Sequence, residues 1–248
     1  MEQSLEANPD SALSDWFAAA LGQAVLREET MLVQRALDDV FGFECLQVGS
    51  WGPGRTLLAG ARTPHTTLVA PHMGSGVTVC APLDSLPFAS DSIDAILLPH
   101  TLELVEDPYA VLREAERVLC AEGCLMICGF NPWSGWGVRR VIARTMRRSL
   151  FPPQTRRLLT EGRLRDWVAL LGFDVDQVSG YLGLFPFARS AGLEGRVRSP
   201  LMSGAYLLKA RKRVQALTPV RKKARARKRV MISVPEPTNS VQRSGKSQ

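Results

Sequence analysis

The sequence predicts an α/β fold built on a parallel sheet covered on both faces. Chain length, one strand–helix–strand unit and the polar residues that end its strands lead there. The chain has 248 residues, 45% of them hydrophobic, which suits one α/β domain with additions because parallel-sheet domains reach this size alone. In its middle an apolar strand is expected over residues 93–98. Asp107-Pro108 then opens a helix that closes at Gly123, and a second apolar strand covers residues 124–128. Strands that are apolar along their whole length belong to parallel sheets buried on both faces. The two strands end in His100-Thr101 and in Asn131, and ligands of such sheets sit beyond the carboxyl ends of the strands.

The other elements follow in chain order. Apolar residues recur at helical spacing from Leu13, Trp16, Phe17, Ala20 and Leu21 to Leu32, Ala36, Leu37 and Val40. One or two helices therefore precede the first strand, and Gly42 ends them. Residues 45–48 read as that strand and run into a glycine loop, GSWGPG, over residues 49–54. Short second and third strands are expected over residues 66–70 and 77–80. The segment between Gly54 and Thr66 is too brief and too weakly periodic for a long crossover helix. Residues 163–171 form a helix terminated by Gly172, with strands after it over residues 173–178 and 206–210.

The net charge of +7 conceals two unlike parts. Residues 1–208 hold 18 Arg, no Lys and 23 acidic residues, a net −5, whereas residues 209–248 hold 13 basic residues and one acid, Glu236, a net +12. Beyond Leu217 the chain is dominated by Lys, Arg, Ala, Pro, Ser and Thr. Such a composition buries too little apolar surface to offset chain entropy, so residues 212–248 are expected to form a basic disordered tail. Its run RKKARARKR, residues 221–229, suits unspecific contact with a polyanion through counterion release, without aromatic residues for base stacking. A second basic stretch, residues 139–165, holds nine Arg and one acid, Glu161.

No apolar run reaches the length of a membrane span, and the first ten residues lack the pattern of a signal peptide. The expected location is the cytoplasm. Of five cysteines, Cys120, Cys124 and Cys128 are spaced C-x3-C-x3-C. The iron–sulfur cradle this spacing comes nearest to, that of radical enzymes, is C-x3-C-x2-C, and a cluster needs thiolates converging from a loop. A helix end and a buried strand do not supply that, so packing in the core is the expected role.

The loop DSLPF (residues 84–88), the run SIDAILLPHTLELVEDP and the strand CLMICGFNP stand in an order and wording that resemble the class I S-adenosylmethionine-dependent methyltransferases. The subgroup is the one marked by a D-x-x-x-L-P-F loop. The resemblance spans residues 43–130 by motif and reaches about residue 210 by element order. It implies a Rossmann-like class I methyltransferase fold: a seven-stranded mixed sheet with an antiparallel last strand, flanked by helices. The implied cofactor is S-adenosyl-L-methionine, and the implied reaction is methyl transfer to a small-molecule or lipid-like acceptor. The chain then divides into an N-terminal helical segment (1–42), a methyltransferase-like domain (43–211) with an Arg-rich insertion covering the site (131–165), and the tail (212–248).

The same resemblance places cofactor contacts on Gly49, Ser50, Gly52 and Gly54, on Asp84, Ser85 and Leu86, and on Pro99 and His100. Glycines let backbone approach the methionine portion of the cofactor closely, and the same loop would also make a plain strand-to-helix turn. Three positions that the family fills with acids are non-acidic here: Gln47, Pro71-His72 and Pro82. Asp84 serves as an adenine partner only through a re-routed loop, and is otherwise a turn residue or helix cap. The amides around Ser85 and Leu86 remain available to the ring. His100 is expected to face the sulfonium end with Glu103 orienting it; a structural histidine is the alternative. Residues 139–165 either cover an anionic acceptor or make a solvated basic helix face. No catalytic base is assigned and no metal is expected. The rival function is a weak or inactive methyltransferase-like binding module with a polyanion-binding tail.

Overall fold

Two amphipathic helices open the protein, α1 (Pro9–Ala18) and α2 (Ala20–Leu37), separated by the extended backbone of Ala19. The computed structural model describes residues 9–135, 155–182 and 203–213. Along α2 a stripe of Val25, Glu29, Leu32, Val33 and Leu37 is buried, the spacing of a helix with one face on a core.

Seven strands follow: β1 (Glu44–Val48), β2 (His65–Ala70), β3 (Val79–Cys80), β4 (Ile93–Pro99), β5 (Leu119–Phe130), β6 (Phe173–Tyr181) and β7 (Ala205–Lys212). They form one sheet in the order β3-β2-β1-β4-β5-β7-β6. The first five are parallel, and β7 runs antiparallel between β5 and β6. This is the seven-stranded mixed sheet expected from the sequence. The helices α3 (Thr101–Leu104), α4 (Pro108–Val118) and α5 (Glu161–Leu170) complete the described elements.

Successive strand residues face opposite sides, so each strand feeds two cores. Cys45, Leu97, Met126 and Cys128 pack under α1 and α2, whereas Leu46, Ile96, Leu98 and Ile127 pack with Val111, Leu112 and Leu164 of α4 and α5. Each fully buried aliphatic side chain stabilises the fold by about 1.5–3 kcal/mol before entropy is counted. Double coverage explains why these strands carry so few polar residues.

The crossover from β1 to β2 has no α-helix, only a single 3₁₀ turn (Thr56–Gly60) that buries Leu57 and Leu58. The α2 helix packs against this turn and covers the sheet face that a crossover helix would otherwise cover. The N-terminal helices thus belong to the same core as the sheet.

Two boundaries differ from the sequence expectation. Helix α4 stops at Val118, not at Gly123, and β5 begins at Leu119. Leu119 pairs with Ile93 and Cys124 with Ala95, with the intervening residues bulged out of register. Glu122 has φ 63° there, so Ala121-Glu122-Gly123, which reads as a helix-ending turn, is a strand irregularity. Cys120 consequently lies in β5 and is half-buried; Cys45, Cys124 and Cys128 are buried, and Cys80 is exposed. At the other end β7 extends through Lys212, one residue past the expected domain limit. The tail beyond residue 213 and most of the Arg-rich insertion lie outside the described residues.

Candidate active site

Strand order reverses between β1 and β4, and a crevice opens where loops leave adjacent strands in opposite directions. A cavity of about 390 Å³ lies at these carboxyl ends. Gly49 and Ser50 after β1 line it, together with Ala70, Pro71 and His72 at the end of β2, Leu83 after β3, and Thr101, Leu104 and Val105 after β4. Leu13 of α1 and Arg156 complete the wall. A few polar groups on a largely apolar lining is the usual make-up of a small-molecule site.

Gly49 is fixed in place by its neighbours. Its φ is +98°, its N–H donates to the Val69 carbonyl at 2.8 Å, and a Cβ there would lie 2.6 Å from Thr101 Oγ1. That hydroxyl donates to the Val48 carbonyl at 2.5 Å, so the ends of β1 and β4 are stitched side by side. Gln47, one turn of strand earlier, is fully buried. Its Nε2–H donates to the Gly49 carbonyl at 3.1 Å, and its Oε1 has no protein partner among the described residues.

Beneath these loops is a buried polar cluster centred on His100, whose left-handed backbone (φ 54°, ψ 8°) ends β4. Nδ1 lies 2.8 Å from Glu103 Oε2, and Nε2 lies 2.8 Å from Glu29 Oε1. Tyr181 Oη donates to the same Glu29 oxygen at 2.9 Å, and Trp51 Nε1–H donates to the other at 2.5 Å. Glu103 Oε1 accepts the Phe130 N–H at 2.7 Å. The imidazole packs against the rings of Trp51 and Phe130, with centroids 4.2 Å and 4.1 Å away. Burial alone would lower the His100 pKa, but the Glu29 and Glu103 carboxylates more than reverse this and push it up to about 9. At neutral pH the ring is an imidazolium with one N–H for each carboxylate.

The loop of the LPF motif is held by α4. Leu86 N–H donates to Glu114 Oε1 at 2.7 Å, and Arg117 Nη2 donates to the carbonyls of Leu86 and Phe88 at 3.1 and 3.0 Å. Ser85 N–H donates to the Pro82 carbonyl at 3.3 Å.

Known proteins bear on what this cavity does. A solved S-adenosylmethionine-dependent methyltransferase of Thermotoga maritima, called a possible histamine N-methyltransferase, has the same fold, with a TM-score of 0.64 at 20% identity over 80% of this chain and 93% of that one. The methyltransferase-domain family matches residues 58–127. A malonyl-[acyl-carrier protein] O-methyltransferase of Halorhodospira halophila is 35% identical over 75 residues, 30% of this chain and 25% of that enzyme. The uncharacterized protein YafS of Escherichia coli strain K12 is 35% identical over 179 residues, 72% of each chain. The chain belongs to the class I S-adenosylmethionine-dependent methyltransferases.

In this methyltransferase the structure brings together only part of the expected contact set. Gly49 and Ser50 line the cavity. Gly52 turns away from it, with a Cβ position 2.8 Å from Leu26 of α2, and Gly54 packs near Ser75 and Gly76. Asp84 and Ser85 are exposed, and Leu86 is buried. The Ser85 and Leu86 amides donate within the protein, to the Pro82 carbonyl and to Glu114 Oε1. Pro99 is buried within β4. His100 does not line the cavity: its ring is fully buried in the cluster below, with Glu103 orienting it as the spacing suggested.

Sequence reasoning missed Glu29, Trp51 and Tyr181 as members of one cluster, and Leu13, Leu83, Leu104, Val105 and Arg156 as cavity walls. One signal was present, since Glu29 stands in the apolar stripe of α2, where a carboxylate is costly unless partnered. Of the described part of the Arg-rich segment, Arg156 pairs with Glu106 and Arg165 with Glu161. No helix among the described residues is long and apolar enough to cross a membrane.

Proposed function

We propose that the cavity at the β1–β4 switch point binds S-adenosylmethionine and that this methyltransferase acts on a small-molecule or lipid-like acceptor. The observation that carries this reading is the cavity itself: it opens at the start of the glycine loop and is walled by the ends of β2 and β4 and the loop after β3. The residues fit such a ligand. Leu83, Leu104 and Val105 offer apolar surface to an adenosyl group, and glycine at position 49 admits close backbone approach. Buried beside it, Gln47 Oε1, without a hydrogen-bond partner among the described residues, stands in the position the family gives to an acid. The bound cofactor supplies an electrophilic methyl group on a cationic sulfur. The protein's part would be chiefly alignment, with Gly49 and Ser50 and the apolar walls at Leu83, Leu104 and Val105 holding the cofactor so that an acceptor could take its methyl group.

Arg156, which pairs with Glu106 at 2.7 Å, puts a guanidinium at the cavity wall that would favour an acceptor bearing a carboxylate or phosphate only by exchanging that partner. The malonyl-[acyl-carrier protein] O-methyltransferase relatives of Halorhodospira halophila and Laribacter hongkongensis are named for an acidic acceptor of that kind. Because β2 ends in Ala70-Pro71-His72, the ribose hydroxyls gain no carboxylate partner, which costs about 1–3 kcal/mol, or one to two decades of affinity. Calorimetric titration with S-adenosylhomocysteine tests the proposal. Dissociation constants of roughly tens to hundreds of micromolar are expected. No heat at millimolar ligand would leave the rival reading, a methyltransferase-like binding module without turnover.

A further inference from the structure

We propose that His100 is a positioning residue for the cofactor cavity, joining through its two ring nitrogens the separate chain segments that form the cavity walls. The inference rests on the cofactor reading above. Its basis is that two of the wall segments, those after β1 and β4, each send a residue inward to the same imidazole. Gly49 and Ser50 line the cavity. The next residue, Trp51, is fully buried, stacks on His100 at 27° between planes, and donates to Glu29. Thr101, Leu104 and Val105 line it as well. Between them Glu103 turns inward to His100 Nδ1. The backbone N–H of Arg156, a third wall residue, donates to the Glu103 carbonyl at 2.8 Å.

Trp51 drops an indole from the glycine loop into the core beneath the cavity. Glu29 then ties that indole to α2, and α1, at the other end of the same helical pair, contributes Leu13 to the cavity. The charged and titratable groups facing the imidazole are Glu29 from α2, Glu103 from α3 and Tyr181 from β6, with the Cys128 thiol of β5 hydrogen-bonded to Tyr181 behind them. Burial holds Tyr181 and Cys128 well above their ordinary pKa values, so the proton that matters is the one on His100. An imidazolium donates to both carboxylates. A neutral ring has one N–H and leaves one carboxylate facing a lone pair, so the wall segments hold their spacing only while the ring is charged.

The test uses the full chain, S-adenosylhomocysteine as probe, and three proteins: unaltered, His100→Gln and Trp51→Phe. Affinity is measured by calorimetry from pH 7 to 10, and ring protonation by NMR, in a chain with only three histidines, His65, His72 and His100. The amino group of the probe titrates in the same range, so the effect is read as a difference between proteins. The unaltered protein is expected to lose affinity several-fold more than His100→Gln as the His100 signal titrates near pH 9. At pH 7, His100→Gln should bind about tenfold more weakly. Trp51→Phe keeps a ring over the imidazole and removes the indole N–H, and should bind several-fold more weakly with native circular dichroism. Equal pH profiles for the unaltered protein and His100→Gln, or unchanged affinity in Trp51→Phe, would overturn the inference; if His100→Gln does not fold, Trp51→Phe decides. Absence of binding by the unaltered protein would instead fail the cofactor reading, and the inference with it.

Discussion

A histidine whose ring nitrogens both meet carboxylates is a charged histidine, and His100 is held in that state inside the protein. Its folded pKa, about 9, lies above the ordinary value of 6.5. The stabilisation it provides is therefore complete below about pH 6.5 and is lost as pH rises towards 9. Urea melts at pH 6, 7.5 and 9 should show a falling free energy of unfolding, and His100→Gln should flatten that slope. Glu103→Ala leaves the His100 Nδ1–H and the Phe130 N–H buried without acceptors and is expected to cost about 2–5 kcal/mol by chemical denaturation. Gly49→Val forces a side chain into φ +98° against Thr101. It should abolish binding of S-adenosylhomocysteine and lower the melting temperature, whereas Gly54→Ala, with no atom closer than Ser75 Oγ at 4.0 Å, should be milder on binding. At this scale the sequence exposed only local partners. Glu103 is three residues from His100 and was legible, whereas Glu29 and Tyr181 lie 71 and 81 residues away, and only the folded sheet brings them together.

Strands and helices were legible where their pattern is simple. Apolar runs marked β1, β4 and β5, and Asp107-Pro108 marked the start of α4, where Asp107 Oδ1 accepts the N–H groups of Tyr109 and Ala110. Asp107→Ala should cost about 1 kcal/mol of stability. The start of β5 was not legible, because a bulge containing Glu122 at positive φ has the composition of a turn. Nor was the grip of α4 on the LPF loop, which depends on Glu114 and Arg117 meeting backbone about thirty residues earlier. That grip has a measurable weight. Arg117→Ala removes donors from the Leu86 and Phe88 carbonyls on a partly exposed surface, so a loss of roughly 1–2 kcal/mol is expected. Faster amide hydrogen exchange should be confined to the loop over residues 84–90. A uniform change across the sheet would mean that the clamp serves the whole core instead.

The described residues form a sheet with a cavity at one end and a change of strand direction between β5 and β7. The expected division at residue 211 needs care in any truncation. Lys212 Nζ donates to the carbonyls of Glu116 and Leu119 at 2.7 and 2.8 Å and pairs with Asp91. Ending the chain after Arg213 is expected to leave the melting temperature and cofactor affinity unchanged, while ending it after Arg211 should lower the melting temperature by several degrees. Residues 214–248 hold nine basic residues and one acid. The longer truncation product should therefore lose most low-salt affinity for heparin or RNA, an affinity that in the full chain weakens steeply with added salt. Retained affinity would transfer the contact to the arginines of residues 139–165.

The antiparallel course of β7 also fixes how this protein is best handled at a surface. The parallel strands all point their carboxyl ends at the cavity, while β7 starts beside Phe130 and returns to Arg211 opposite Cys124, so Arg213 lies at the far end of the sheet. Eight residues of strand at 3.3 Å each set a separation of roughly 25 Å. A fluorophore, affinity handle or sensor-chip tether joined after Arg213 is thereby attached at the base of the molecule, and the immobilised protein presents its cavity to the flowing solution.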